Sequence, residues 1–77
     1  MQAILVAEDE RPIADLIRLT LTGAGYTCVV AHDGAEAADL IEEQDFALAV
    51  LDIMLPQVDG YELLEYLQTT GTPAIFV

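Results

Sequence analysis

Two short acidic stretches hold the residue types that could do chemistry. "AEDE" at 7–10 sets Glu8 and Asp9 directly after an apolar run, and "VLD" at 50–52 ends another apolar run on Asp52. An acid at such a place is a nucleophile, a hard-metal ligand or a cap in a solvated loop. More than forty residues separate Asp9 from Asp52, so they cooperate only if folding brings them together. Three converging carboxylates repel, each pair about 4 Å apart by roughly 4 kcal/mol at an effective dielectric near 20. A cation relieves this, and an all-oxygen donor set suits Mg²⁺, which keeps several waters and takes one or two carboxylates plus phosphate oxygens.

The elements that must position these acids are legible as alternating patterns. "AILVA" at 3–7, "YTCVV" at 26–30, "FALAVL" at 46–51 and "PAIFV" at 73–77 are near-continuous apolar runs, as expected of parallel strands covered on both faces. Between the first two, Ile13, Leu16, Ile17, Thr20, Leu21 and Ala24 share one helical face, with Pro12 in the first turn and Gly25 as the stop. "DGAE" at 33–36 opens a second helix, Asp33 capping and Ala37, Leu40 and Ile41 facing inward. "DGYE" at 59–62 repeats the device for a third, with Leu63, Leu64 and Leu67 inward and Gly71 and Pro73 at its end. The order βαβαβαβ with right-handed crossovers gives an open, helix-covered parallel sheet. Its crevice lies at the carboxyl ends of the strands, where Glu8, Asp9 and Asp52 are expected to meet.

Composition narrows the functions available. The chain has 77 residues, 55% of them hydrophobic, which sets a ceiling of one compact and marginally stable domain. Fourteen acids against Arg11 and Arg18, with no Lys, give a net charge of −12. That balance argues against direct binding to nucleic acid and favours cations or basic protein surfaces. The single Cys28 excludes an internal disulfide and, lying mid-strand, reads as a buried inert thiol. No apolar stretch reaches membrane-spanning length, and the N-terminus lacks the basic start of a signal peptide, so a cytoplasmic location is expected.

"VAEDE" at 6–10, "AHDGAEA" at 31–37 and "VLDIMLPQVDGYELL" at 50–64 together resemble the receiver domain of two-component response regulators, in which a histidine kinase passes a phosphoryl group to an aspartate. The resemblance covers the whole chain, 1–77, as one response-regulatory domain. It implies a flavodoxin-like, doubly wound parallel α/β sheet, for whose order 2-1-3-4-5 a chemotaxis receiver is itself a standing example. Here the order would be 2-1-3-4, with the fifth strand missing. By the same resemblance Asp52 is the phosphoacceptor, and Glu8, Asp9, Asp52 and the backbone carbonyl of Met54 hold Mg²⁺. Pro56 and Gly60 would shape the loop after Asp52. The implied partner is a histidine kinase, and self-phosphorylation and dephosphorylation are the only reactions implied.

Receivers also use a Ser or Thr after strand four and a Lys at the end of strand five, and this sequence offers neither. It reads as the first two-thirds of a receiver, truncated after strand four, with phosphotransfer impaired in isolation. The alternative is a structural or assembly module with a vestigial site, self-associating as a homodimer, possibly swapped, or joining a complementing receiver segment through the final strand "AIFV". The likeness to receivers joined to winged-helix transcription factors would put DNA binding in a part not included in this sequence.

Other motifs carry less. Glu10 reads as an exposed first-turn acid, Asp33, Asp59 and Gly60 as capping devices, and His32 as a surface histidine. "GAG" at 23–25 precedes a strand where a dinucleotide loop must open a helix. An aspartate-nucleophile phosphatase needs a second acid two residues after the nucleophile, where Met54 stands.

Overall fold

The computed structural model describes residues 3–52 and 60–77. Seven elements alternate along them: β1 (Ala3–Ala7), α1 (Arg11–Gly23), β2 (Cys28–Ala31), α2 (Gly34–Glu43), β3 (Phe46–Leu51), α3 (Gly60–Thr70) and β4 (Ala74–Phe76). All neighbouring strands are parallel, in the order β2-β1-β3-β4. The alternating pattern predicts this parallel, helix-covered sheet, and its strand order is the flavodoxin-like one that the resemblance implies.

The alternation of side chains along β1 shows why its run is apolar throughout. Ala3, Leu5 and Ala7 enter one core with Ala37 and Ile41 of α2 and Leu63 and Leu67 of α3. Ile4 and Val6 enter the other with Val50, against which Ile17 and Leu21 of α1 pack. A strand buried on both faces has no polar side to alternate. Leu5, Leu51, Leu63 and Leu67 are fully buried, each stabilising the fold by about 1.5–3 kcal/mol relative to exposure.

The helix ends follow their local chemistry. Asp33 caps α2, its Oδ1 accepting the Glu36 N–H at 2.8 Å, as the sequence suggests. Pro stands in the first turn of α1, and Gly25 and Gly71 follow α1 and α3 with φ of 98° and 75°, a region that glycine enters without steric cost. The expected Asp59 cap of α3 lies outside the described residues.

Several expectations differ from the structure: the fourth strand is Ala74–Phe76, with Ile75 and Phe76 exposed, not a covered run over 73–77. The second strand begins at Cys28 and not Tyr26, because the chain is still leaving the Gly25 turn and the Tyr26 N–H remains bonded to the Leu21 carbonyl at 3.0 Å. Of the face read for the first helix, Ile13, Leu16, Thr20 and Ala24 are exposed. The sheet touches only the flank of that face bearing Ala14, Ile17 and Leu21.

Candidate functional site: a carboxylate cluster at the sheet edge

The register of the two central strands brings the acids together. Ala7 of β1 pairs with Leu51 of β3, so Glu8 and Asp52, one residue beyond each, are neighbours on the carboxyl edge. The Asp52 N–H donates to the Ala7 carbonyl at 2.9 Å, and the Glu8 N–H donates to Ala31 of β2 at 3.0 Å, continuing the ladder to this edge. Glu8, Asp9 and Asp52 each offer a carboxylate oxygen within 4.8 Å of the other two. The expected convergence is present in this geometry.

The three acids sit in different surroundings. Glu8 is 4% exposed, Asp52 is half-buried and Asp9 is open to solvent. Burial pushes the Glu8 carboxyl above its ordinary range. The Glu10 N–H, which donates to Glu8 Oε1 at 3.2 Å, opposes that shift, and the Asp52 charge adds to it. A buried acid beside a second carboxylate favours its protonated form unless a cation replaces the proton.

The donor set fits Mg²⁺. Oxygens on one octahedral ion at 2.0–2.1 Å lie about 3–4 Å apart, so a cluster within 4.8 Å closes onto the ion with small side-chain movements. Met54, whose carbonyl is expected to add a ligand, and Pro56 lie outside the described residues.

Glu10 is exposed as expected, but it stands at the N-cap position of α1, ahead of the first turn, without a side-chain capping bond. His32 departs from the surface role read from the sequence. It follows Ala31, which pairs with Ala7, and therefore stands on the same edge as Glu8. It is half-buried, and its Nδ1 is shielded without a hydrogen-bond partner among the described residues. Only the strand register, which local pattern does not fix, could have revealed this. Cys28 is half-buried, and burial raises its thiol above the ordinary value while Arg18 works weakly against that, consistent with an inert thiol. A surface concavity of about 510 Å³ lies along Glu62, Glu65, Tyr66 and Thr69 of α3, and among the described residues its lining does not include the carboxylate cluster.

A sheet of this order with acids on its carboxyl edge defines a class, and the comparisons agree on it. Residues 4–77 match the family model described as "Response regulator receiver domain", and the chain belongs to that family. The "Response regulator MprA" of Mycobacterium avium is 41% identical over 68 residues, covering 88% of this chain and 30% of that protein. The chain thus spans about a third of the length of such relatives. Among solved structures, the receiver domain of the Francisella response regulator 1452 superposes with a TM-score of 0.89 at 36% identity, covering 99% of this chain and 64% of that one. The response regulator TrrA of Thermotoga maritima, solved in complex with Mg²⁺-BeF, gives a TM-score of 0.85 at 30% identity over 99% of this chain and 66% of that one. Among the described residues, no helix is long and apolar enough to cross a membrane.

Proposed function

We propose that this chain is a phosphoacceptor module of two-component signalling, taking a phosphoryl group from a histidine kinase onto Asp52. The observation that carries the reading is the meeting of Glu8, Asp9 and Asp52 at one sheet edge, within 4.8 Å of one another. Glu8 and Asp9 would hold Mg²⁺ together with Asp52 and, as the family resemblance implies, the Met54 carbonyl. When bound, the ion neutralises charge between the carboxylate and the incoming phosphoryl group. Asp52 supplies the nucleophile: one carboxylate oxygen forms the new O–P bond as the P–N bond to the donor histidine breaks, its electron pair leaving with the imidazole. The half-buried position of Asp52 limits water around the acyl phosphate, and its backbone N–H, tied to Ala7, fixes where the carboxylate sits. This reading places the chain in the cytoplasm as one receiver unit over 1–77, its output belonging to a larger protein.

The test is intact-mass spectrometry after incubation with acetyl phosphate. One phosphoryl adduct is expected with Mg²⁺, lost with chelator and lost in Asp52→Asn. An unchanged wild-type mass defeats the reading.

A further inference from the structure

We propose that His32 is a positioning residue of the carboxylate site, its Nδ1–H donating a hydrogen bond to the Glu8 carboxylate when Glu8 holds Mg²⁺. The inference rests on the metal-binding reading of Glu8, Asp9 and Asp52, and adds to it a side chain from a third strand.

Strand alternation places the imidazole. Side chains two residues apart on a strand share a face. On the face covered by α1, Ile4 and Val6 of β1, Cys28 and Val30 of β2, and Leu48 and Val50 of β3 belong to one core. One more step of two along each strand reaches Glu8, His32 and Asp52, which puts all three on that face at the carboxyl edge. Ala7 opposes Ala31, and the Glu8 N–H donates to the Ala31 carbonyl at 3.0 Å, so the two chains keep ladder spacing as far as Glu8 and His32. Adjacent strands lie about 4.8 Å apart, a span that an imidazole crosses by rotation about its side-chain bonds. This corner is also remote from the end of the sequence, since β2 and β4 are opposite edges of the sheet.

Two needs meet there. His32 is half-buried, and its Nδ1 is shielded from solvent with no hydrogen-bond partner among the described residues. Shielded polar atoms in native folds are nearly always bonded, and an exception calls for a role. A carboxylate offers about four lone-pair positions. On Glu8 the Glu10 N–H takes one at 3.2 Å and a metal ion would take another, and at 4% exposure little water reaches the rest. Asp9 and Asp52 have no proton to give when ionised. Carboxylates that bind metal are commonly held by a donor outside the ligand shell, and losing such a donor weakens metal binding about 10–100-fold.

The chain has a single histidine, so long-range ¹H–¹⁵N NMR of the imidazole reads His32 alone. The full chain is titrated with Mg²⁺ at about pH 8, where an imidazole is ordinarily neutral. At saturation the expected state is the Nδ1–H tautomer with a hydrogen-bonded Nδ1 proton, reached in step with the shift of the Glu8 carboxyl carbon. His32→Leu is expected to raise the Mg²⁺ dissociation constant about tenfold or more, with the circular dichroism unchanged. His32→Asn, whose amide stands near the Nδ1 position, restores most of the affinity, and His32→Gln, whose amide reaches the Nε2 position, does not. A Mg²⁺-saturated wild type with the proton on Nε2, or with an imidazole that does not respond to the ion, overturns the inference. Equal Mg²⁺ affinity in wild type and His32→Leu overturns it as well, and if that variant fails to fold, the wild-type tautomer decides. Phosphorylation is read separately from the acetyl phosphate adduct. An adduct with an unresponsive His32 defeats this inference alone, a responsive His32 without an adduct defeats the phosphoacceptor reading alone, and no Mg²⁺ binding defeats both.

Discussion

Replacing Asp52 by Asn should stabilise the metal-free protein while weakening its response to Mg²⁺. The opposite signs make this more diagnostic than loss of activity. Asp52 takes part in two of the three close carboxylate pairs, and at 4.8 Å with an effective dielectric near 20 each fully charged pair repels by about 3.5 kcal/mol. Solvent shrinks this figure, because Asp9 is exposed and screened by water. A net gain of about 1–3 kcal/mol remains for the variant, whose amide keeps the shape and can donate to the neighbouring carboxylates. In a domain of this size that raises Tm by about 4–24 °C in chelator. Added Mg²⁺ stabilises the wild type by about 2.7 kcal/mol at a hundredfold excess over Kd, and should stabilise the variant much less. Urea or thermal unfolding in chelator and in Mg²⁺ gives all four values. A variant less stable than wild type in chelator, or an equal Mg²⁺ gain in both, would refute the reasoning.

The raised Glu8 carboxyl gives a pH dependence of definite sign. The native state keeps this proton where the unfolded chain has lost it, so its stabilising contribution is complete below the ordinary glutamate range. It is lost as pH climbs through the raised native value, at up to about 1.4 kcal/mol per pH unit. Urea midpoints across acid to neutral pH should show this slope in metal-free wild type and a shallower one in Glu8→Gln; equal slopes count against it. Asp33→Ala removes the cap on the Glu36 N–H and should cost about 1 kcal/mol, read as a lower urea midpoint with unchanged m-value. Leu67→Ala empties a fully buried site shared by α3 and the sheet and should cost about 2–5 kcal/mol, enough to leave a domain this small largely unfolded by circular dichroism.

The sheet was legible because β1 is buried on both faces throughout and β3 is so over Ala49, Val50 and Leu51, and few structures other than a covered parallel strand ask for runs such as "AILVA" and "FALAVL". Glu8 and Asp52 were legible for a related reason: a topological rule places the ends of adjacent parallel strands on one edge, and the register delivers it. The outward half of the α1 face was not legible. Helical periodicity groups Ile13, Leu16 and Leu19 with Ile17 and Leu21 without saying how wide a stripe the sheet covers. His32 was misplaced because its burial depends on which residue of β1 opposes Ala31, a long-range fact that no local window contains. The start of β2 moved because a strand begins where the ladder does, and Tyr26 is still bonded back to α1.

The central claim is that folding gathers Glu8, Asp9 and Asp52 into a site requiring a cation. It is tested most directly by following their side-chain carboxyl carbons by NMR as Mg²⁺ is added at neutral pH. The three resonances should move together and saturate with one ion per chain, while distant acids such as Glu42 stay still. Three resonances that remain fixed at millimolar excess, or that drift no more than Glu42, would contradict the account.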